Sequence, residues 1–600
     1  MKKPGKAKLQ ATDLKLLQVF YRFLGPHKIW LIIALVAVPF TTGASVLIPL
    51  ILVHIVDNYI VVGNLSGLYK MSAVFAGVVV LSYLADGTYT FSLQKAGQLT
   101  IARMRQALYE HTLKLPRTYF DKHPIGVTLS RLTSDMETMG ESIAVGVLAL
   151  FTDFFKTVSL LCFLFYLSWK LALVIILVFP IVYLIVTFIR RRLRYYFNSA
   201  REAMADTTGY LQECLNGIKT IQLFVSEKKV IKKFKEKNKR FLISQTKSNS
   251  YDAFLFSIID SLTSVTMALV IWYGTRQILS EVITIGVLIG FINTLSRIFI
   301  PIREFAQQIA LIQRALAALE HINRLFNEEQ EQEPSPGIKF QQNIGSFESL
   351  EFKNVSFSYG KGSTVLNDIS FSLSKGEKIA IIGTTGSGKS TVLKLITKNY
   401  GQYEGSIKIN GIELKEFSRI DVNKLVTMMN QDVYLFNESL AFNISLNRKE
   451  VNQEVLRKSI EYVHADEFID KIPEGLDYQV IDNGSNLSAG QAQLISFARA
   501  IAGRTELILL DEATSSVDSI TEDLIQKAIE KIFKEKTVIA VAHRLSTIRN
   551  ADRILVMQNG RIVEQGNHQS LMKSNGYYVQ LLNSIEPEPE KNIKIPDHQK

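Results

Sequence analysis

Six long apolar stretches lie in the first half of the chain, and they restrict its fold more than any other feature. A helix that crosses a membrane needs about 20 mostly apolar residues. Inside lipid, only helices and closed barrels satisfy their own backbone hydrogen bonds. We therefore expect an all-α domain of six transmembrane helices, at about residues 29–56, 69–93, 143–167, 171–189, 253–273 and 284–302.

The distribution of basic residues gives these helices an orientation. The chain has a formal net charge of +12, and the loops after the second and fourth stretches are long and basic. Cytoplasmic loops of membrane proteins carry the excess of Lys and Arg, so both termini and both long loops are predicted to be cytoplasmic. Because this charge lies beside apolar stretches, we attribute it to orientation and anionic lipid, and we expect no nucleic acid as a partner.

The two long loops, residues 98–141 and 191–250, show helical periodicity with few helix-breaking residues. The neighbouring spans should therefore continue as helices into the cytoplasm. Each loop is expected to turn back at its tip, near Thr118–Gly126 in the first loop and near Thr207–Gly217 in the second.

The composition changes after the last apolar stretch. Residues 1–28 are assigned to a cytoplasmic segment and 29–326 to the membrane domain. Residues 327–345, which are acidic and contain two prolines, are assigned to a linker. Strands alternate with helices over 346–585, a pattern typical of a wound parallel sheet. The polar tail, 586–600, is predicted to be disordered.

A glycine-rich segment follows the apolar strand at 378–382. It matches the phosphate-loop pattern in every required position, and its residues are Gly383, Thr384, Thr385, Gly386, Ser387, Gly388, Lys389 and Ser390, with Thr391 opening the next helix. The glycines let backbone N–H groups surround phosphate oxygens at a helix N-terminus. Lys389 should reach the outer phosphates, and the Ser390 hydroxyl should bind Mg²⁺. The segment predicts an α/β phosphate-loop ATPase domain.

A second motif places two carboxylates at the end of a strand. The apolar run 507–510 is followed directly by Asp511 and Glu512. In a wound sheet, ligands bind beyond the carboxyl ends of the strands. Asp511 suits Mg²⁺, and Glu512 suits a general base that polarises the attacking water.

These motifs together resemble those of the ATP-binding-cassette (ABC) exporters, and the similarity covers about residues 15–580. The segment Leu487, Ser488, Ala489, Gly490 and Gln491 resembles the signature motif of that family. The resemblance implies that this segment caps the ATP bound by the opposite subunit, with the Ser488 hydroxyl and the helix N-terminus at Gly490 facing the γ-phosphate. Ala489 stands where the commonest form of the motif has glycine.

Other positions follow from the same resemblance. It implies that Tyr359 stacks on adenine, that Gln431 contacts Mg²⁺ and the attacking water, and that His543 contacts the γ-phosphate. Asp518 matches the loop that crosses the dimer interface. Taken singly, Tyr359 is also compatible with an aromatic residue at a strand end, Gln431 with a solvated residue, and His543 with a core histidine.

The membrane half resembles the family through its two loop tips. The sequence Tyr119-Phe120-Asp121 matches the first intracellular loop, and Glu213 and Gly217 match the second. In the family these tips are coupling helices that rest on the ATPase domains. The alternative is a solvated helical hairpin.

Five ionisable residues fall within the apolar stretches: Asp86, Asp153, Lys156, Asp260 and Arg297. Such residues are functional candidates by default. Asp153 and Lys156, three apart on a helix, are expected to pair with each other. Asp86, Asp260 and Arg297 either line a substrate cavity or are satisfied polar residues that lie between helices or beyond the lipid.

The resemblance implies ATP-driven export or flipping of a lipid, drug or other amphipathic compound by alternating access. One chain carries one phosphate loop and one signature, so we expect a dimer, either of two copies or with a related chain. An ATP-gated receptor or regulator of the same architecture remains the alternative, which stimulation of ATP hydrolysis by a transported compound would argue against. No organelle presequence is evident, so a bacterial plasma membrane is the expected location.

Overall fold

The computed structural model describes residues 19–331, 346–360, 362–430, 432–503, 505–511, 519–542 and 545–585. Most of the N-terminal segment, most of the linker and the whole C-terminal tail lie outside these ranges. Four of the candidate site residues, Gln431, Glu512, Asp518 and His543, also lie outside them. The chain divides into two compact units. The N-terminal unit consists of Met1–Leu113 with Gly126–Glu328, and the C-terminal unit of Lys114–Ile125 with Glu329–Lys600.

The first half of the chain is helical, as its apolar stretches predict. Its described residues form six long and three short α-helices: α1 (Lys28–Ile55), α2 (Leu65–Leu113), α3 (Arg117–Lys122), α4 (Ile125–Ser130), α5 (Met136–Leu167), α6 (Trp169–Asn216), α7 (Ile218–Leu223), α8 (Glu227–Leu279) and α9 (Ile285–Phe326). The helix α3 belongs to the C-terminal unit. The second turn lies later than expected, because α6 continues to Asn216 and the chain turns only between Gly217 and Ser226.

Within the described residues, four helical stretches are both long enough and apolar enough to cross a membrane. They are Val19–Ile60, Leu65–Leu113, Ala149–Leu167 and Glu227–Leu279. Shorter apolar stretches, Trp169–Val178 and Ile285–Ile298, lie in α6 and α9. Large apolar side chains on these helices are exposed, for example Tyr83 at 79% and Leu177 at 77%. Lipid can cover such surfaces, which would be unfavourable in water.

The helices of the N-terminal unit pack closely at positions with small side chains. A Cβ atom added to Gly290 on α9 would lie 2.3 Å from the Val53 side chain on α1, so any larger residue would separate these helices. The helices α6 and α8 form a long pair. Its contacts include stacked rings of Tyr196 and Tyr251, 5.3 Å apart, and an ion pair from Lys237 to Asp206 at 2.7 Å.

The described part of the C-terminal unit forms two sheets, and the strands are β1 (Ser349–Ser358), β2 (Thr364–Ser374), β3 (Lys378–Gly383), β4 (Glu404–Ile409), β5 (Ile412–Glu413), β6 (Val426–Met429), β7 (Leu507–Asp511), β8 (Thr537–Val541), β9 (Arg553–Gln558) and β10 (Arg561–Gly566). The antiparallel sheet has the order β2-β1-β4-β5, and the larger sheet β10-β9-β3-β8-β7-β6.

The larger sheet positions the candidate site. Five of its strands, β6 to β9 with β3, run parallel, and β10 is antiparallel at one edge. Its central strands are buried, with Ile379 to Ile382 no more than 1% exposed, because side chains on both faces of β3 pack into hydrophobic clusters. The carboxyl ends of β3, β7 and β8 therefore meet at one edge, where ligands bind in such sheets.

Helices of the C-terminal unit connect and cover the strands: α10 (Lys389–Ile396), α11 (Arg419–Leu425), α12 (Leu440–Ser445), α13 (Gln453–Tyr462), α14 (Asp466–Ile469), α15 (Ala489–Ala502), α16 (Ser519–Glu535), α17 (Leu545–Arg549), α18 (His568–Ser574) and α19 (Tyr577–Ile585). A helical first half followed by an α/β domain confirms the fold class predicted from the sequence.

Candidate nucleotide-binding site

The phosphate loop connects β3 to α10, as the sequence predicts. The helix begins at Lys389, two residues before the expected start. Gly388 has a φ of +101°, and a Cβ atom there would lie 2.6 Å from the Leu366 side chain. At Gly383 a Cβ atom would lie 2.3 Å from the carbonyl oxygen of Met557. Only glycine fits at these two positions, so the tight turn explains their presence in the motif.

Two polar side chains of the loop, those of Lys389 and Ser387, indicate that the loop binds an anion. The Lys389 ammonium group is buried and donates hydrogen bonds to the carbonyl oxygens of Gly383, at 2.9 Å, and Thr384, at 3.1 Å. Ser387 is 2% exposed, and within the described residues its hydroxyl has no hydrogen-bond partner. A buried hydroxyl group without a partner is costly. A phosphate oxygen in the loop would satisfy it.

The end of β7 lies beside the start of α10. The Ser390 hydroxyl donates a hydrogen bond to Asp511 Oδ1 at 2.8 Å, although the two residues are 121 positions apart. Mg²⁺ is usually bound by one or two protein oxygens together with water and substrate phosphates. A hydroxyl and a carboxylate beside a phosphate loop form such a donor set. Within the described residues, no cluster of three or more His, Cys, Asp or Glu side chains forms another candidate metal site.

Tyr359, the candidate adenine-stacking residue, follows directly after β1. The residue is 39% exposed, so part of its side chain is accessible to a ligand. The ring packs edge to face against Phe357 and Tyr400, with centroids 4.9 and 5.2 Å apart. Its hydroxyl lies 3.0 Å from that of Thr391 on α10. These contacts connect the ring to the helix that follows the phosphate loop.

The signature segment begins a different helix, α15. Ser488 is the N-cap: its hydroxyl accepts from the backbone of Gln491, whose side chain accepts from the backbone of Ser488. Ser488 and Ala489 are exposed, and Gly490 is buried. The side chains of Ser488 and Gln491 thus stabilise the helix start. The exposed N-terminus remains open to an anionic group from outside.

Arg499, which belongs to none of the sequence motifs, anchors the other end of α15. Its guanidinium group donates to the backbone oxygens of Asn443 at 2.7 Å and Tyr434 at 3.1 Å. Burial lowers the pKa of Arg499, and nearby Arg448 acts in the same direction. Nothing in the local sequence indicates this role, because the partners are more than 50 positions away.

The ionisable residues of the membrane half pair differently from the expectation. The Lys156 ammonium group forms an ion pair with Asp86 on α2, at 3.1 Å, and does not pair with Asp153 on its own helix. Asp153 accepts a hydrogen bond from the Gln308 amide on α9 at 3.0 Å. The expected pair within α5 is therefore wrong: both side chains reach neighbouring helices. Asp260 is exposed and Arg297 is half-buried.

Comparison with known proteins agrees with both halves. Residues 31–302 match the family described as ABC transporter transmembrane region, and residues 366–515 match the ABC transporter family. A probable multidrug resistance ABC transporter ATP-binding/permease protein, YheH of Bacillus subtilis, is 33% identical over 86% of this chain and 77% of its own length. An ATP-dependent lipid A-core flippase of Pseudoalteromonas translucida is 32% identical over 95% of this chain and 98% of its own length.

A helical membrane domain fused to a phosphate-loop ATPase domain defines the class of protein. The chain belongs to the ABC transporter family, and its architecture is that of an exporter half-transporter. This confirms the resemblance stated from the sequence. The protein is an ATP-hydrolysing membrane transporter that exports its substrate, and the half-transporter architecture implies that it dimerises.

Proposed function

We propose that two half-transporters form the working unit and that it exports or flips a lipid, drug or other amphipathic compound by alternating access. Two ATP molecules would be bound between the C-terminal units, each held by the phosphate loop of one chain and the signature segment of the other. The main support is the contact of Ser390 with Asp511 beside a phosphate loop in which the buried Ser387 hydroxyl has no hydrogen-bond partner among the described residues. A nucleotide phosphate with Mg²⁺ would engage all three side chains.

Each candidate residue then has a distinct task. Tyr359 would stack on adenine, and Lys389 with the loop N–H groups from Gly383 to Thr391 would hold the phosphates. Ser390, Asp511 and Gln431 would hold Mg²⁺, which neutralises phosphate charge. The candidate residues Thr384, Thr385, Gly386, Ser387 and Gly388 form the rest of the phosphate cradle.

Hydrolysis would depend on residues after the parallel strands. We assign Glu512 as the general base and His543 and Gln431 as groups around the γ-phosphate and the attacking water. Asp518 would contact the second chain. The signature residues Leu487, Ser488, Ala489, Gly490 and Gln491 would cap the ATP bound by the partner, and the exposed N-terminus of α15 supports this assignment.

The substrate class rests on the relatives. One is named a multidrug resistance transporter and several are named lipid A-core flippases, at about 30% identity. One name refers to resistance to drugs and the other to the flipping of a lipid. We propose the same class here, in the plasma membrane of a bacterium, with the C-terminal unit in the cytoplasm.

The test is the Mg²⁺-dependent ATPase rate of this chain purified alone in lipid nanodiscs, with Glu512→Gln as the blank. A rate well above the blank supports a homodimer with two working sites. A rate equal to the blank, in a sample that binds ATP, indicates that a different chain supplies the second signature. Flipping of a fluorescent lipid in proteoliposomes by the parent and not by Glu512→Gln would support transport. Equal flipping by both would contradict it.

A further inference from the structure

Tyr400 lies between the candidate adenine-stacking ring and the tip of the first cytoplasmic loop. Its side chain is buried, at 6% exposure, and its ring contacts Tyr359 with centroids 5.2 Å apart. Its hydroxyl donates a hydrogen bond to Asp121 Oδ2 at 2.7 Å. Asp121 lies on α3, within Lys114–Ile125, the segment that belongs to the C-terminal unit. The contact is therefore internal to that unit.

A backbone contact also joins the loop tip, residues 114–125, to the rest of the C-terminal unit. Within the tip, Tyr119 on α3 is 4% exposed, and its ring stacks on His123 at 4.5 Å. The backbone N–H of Glu331 donates to the carbonyl oxygen of Lys114 at 3.0 Å. Arg117 lies 3.3 Å from Asp121, but this ion pair is exposed and contributes little. The Tyr400 hydroxyl is thus the buried partner of Asp121.

The opposite side of Tyr400 leads to the nucleotide site. Tyr359 contacts Tyr400 through its ring and Thr391 through its hydroxyl, at 3.0 Å. Thr391 is the third residue of α10, directly after the phosphate loop. Four side chains in succession, Thr391, Tyr359, Tyr400 and Asp121, therefore join the start of α10 to α3.

We propose that Tyr400 is a positioning residue that transmits occupancy of the nucleotide site to the first cytoplasmic loop. Adenine stacked on Tyr359 would fix the ring against which the edge of Tyr400 packs, and this would favour the geometry in which the hydroxyl reaches Asp121. The inference rests on the proposed function, because it requires ATP at Tyr359. Burial and the neighbouring Asp121 carboxylate raise the pKa of Tyr400, so its hydroxyl keeps the proton that it donates.

The coupling has a defined thermodynamic consequence. If ATP favours the docked loop, the docked loop must favour ATP by the same factor. A hydrogen bond to a charged group contributes to stability by an amount that corresponds to roughly tenfold or more in an equilibrium constant. Because the Asp121 side chain is 37% exposed, solvent weakens this hydrogen bond, and we expect an effect of about tenfold on the equilibrium constant.

The experiment measures amide hydrogen exchange of residues 114–125 in the full-length protein in nanodiscs, with and without ATP and Mg²⁺, in the Glu512→Gln background. Tyr400→Phe keeps the ring and removes the hydroxyl. We expect ATP to slow amide exchange in this segment. In Tyr400→Phe, this ATP-dependent slowing should be about tenfold smaller than in the parent. Asp121→Asn should lose a similar amount, and the double variant no more than either single variant. This non-additivity distinguishes a shared hydrogen bond from two independent structural effects.

Tyr403→Phe is the matched control. Tyr403 is 8% exposed, lies three residues further on and packs against the Lys415 ammonium group, and within the described residues its hydroxyl has no hydrogen-bond partner. This variant should retain the ATP-dependent protection of the parent. Unchanged protection in Tyr400→Phe, or losses that add in the double variant, would overturn the inference. So would a parent that binds ATP without protecting 114–125. A parent that does not bind ATP would instead contradict the proposed function.

Discussion

The Lys389 ammonium group offers the most direct test of the candidate nucleotide site. In the structure it is 7% exposed and donates to two carbonyl oxygens of the phosphate loop, at 2.9 and 3.1 Å. When ATP binds, we expect these hydrogen bonds to be exchanged for bonds to phosphate oxygens, which carry full negative charge. Lys389→Ala removes the charge and the donor together, and Lys389→Met removes them while it keeps most of the side-chain volume.

The magnitude follows from the hydrogen bonds that would be lost. A hydrogen bond between charged groups contributes about 1.5–3 kcal/mol. The loss of one such bond to phosphate corresponds to about 10- to 150-fold weaker ATP binding. Because Lys389 is buried, Lys389→Ala should also lower thermal stability, and Lys389→Met should do so less.

Displacement of a fluorescent nucleotide from the full-length protein in nanodiscs measures the affinity. Lys394→Ala is the control, because Lys394 lies on the same helix, is half-buried and is not part of the phosphate loop. It should bind ATP like the parent. If both Lys389 variants fold and bind ATP within twofold of the parent, the assignment of Lys389 to the phosphates is refuted.

Three further predictions concern other parts of the protein. Glu512→Gln should abolish ATP hydrolysis and leave ATP binding intact, and normal hydrolysis by this variant would contradict the general-base assignment. Ser488→Ala should remove the N-cap of α15, which costs about 1 kcal/mol, and should reduce the ATPase rate of the dimer; an unchanged rate with lowered stability would limit Ser488 to its capping role. In thermal unfolding in nanodiscs, the effects of Lys156→Ala and Asp86→Ala should be non-additive, because the two charges lie 3.1 Å apart. The effects of Lys156→Ala and Asp153→Ala should be closer to additive, and the reverse pattern would restore the pairing within α5.

The sequence alone was sufficient to predict the phosphate loop, the long helices and the position of the site at the ends of the strands. The phosphate loop is recognisable because its glycines satisfy a backbone constraint within eight residues, as the crowded surroundings of Gly383 and Gly388 explain. The long helices follow from apolar stretches, because a helix is the structure that satisfies its own backbone hydrogen bonds inside lipid. The approach of Ser390 to Asp511 was predictable from topology, since the carboxyl ends of parallel strands share one edge of a sheet.

Tertiary structure alone decided which distant side chains meet. Two carboxylates could pair with Lys156 by sequence position. Because α5 packs against α2, Lys156 pairs with Asp86, 70 positions away, and not with Asp153 on its own helix. Tyr400 and Asp121 are 279 positions apart, and neither belongs to a motif that indicates the other. Sequence periodicity specifies which face of a helix is buried, but it does not specify the neighbour that this face will meet. That neighbour is fixed only when the helices and sheets pack together.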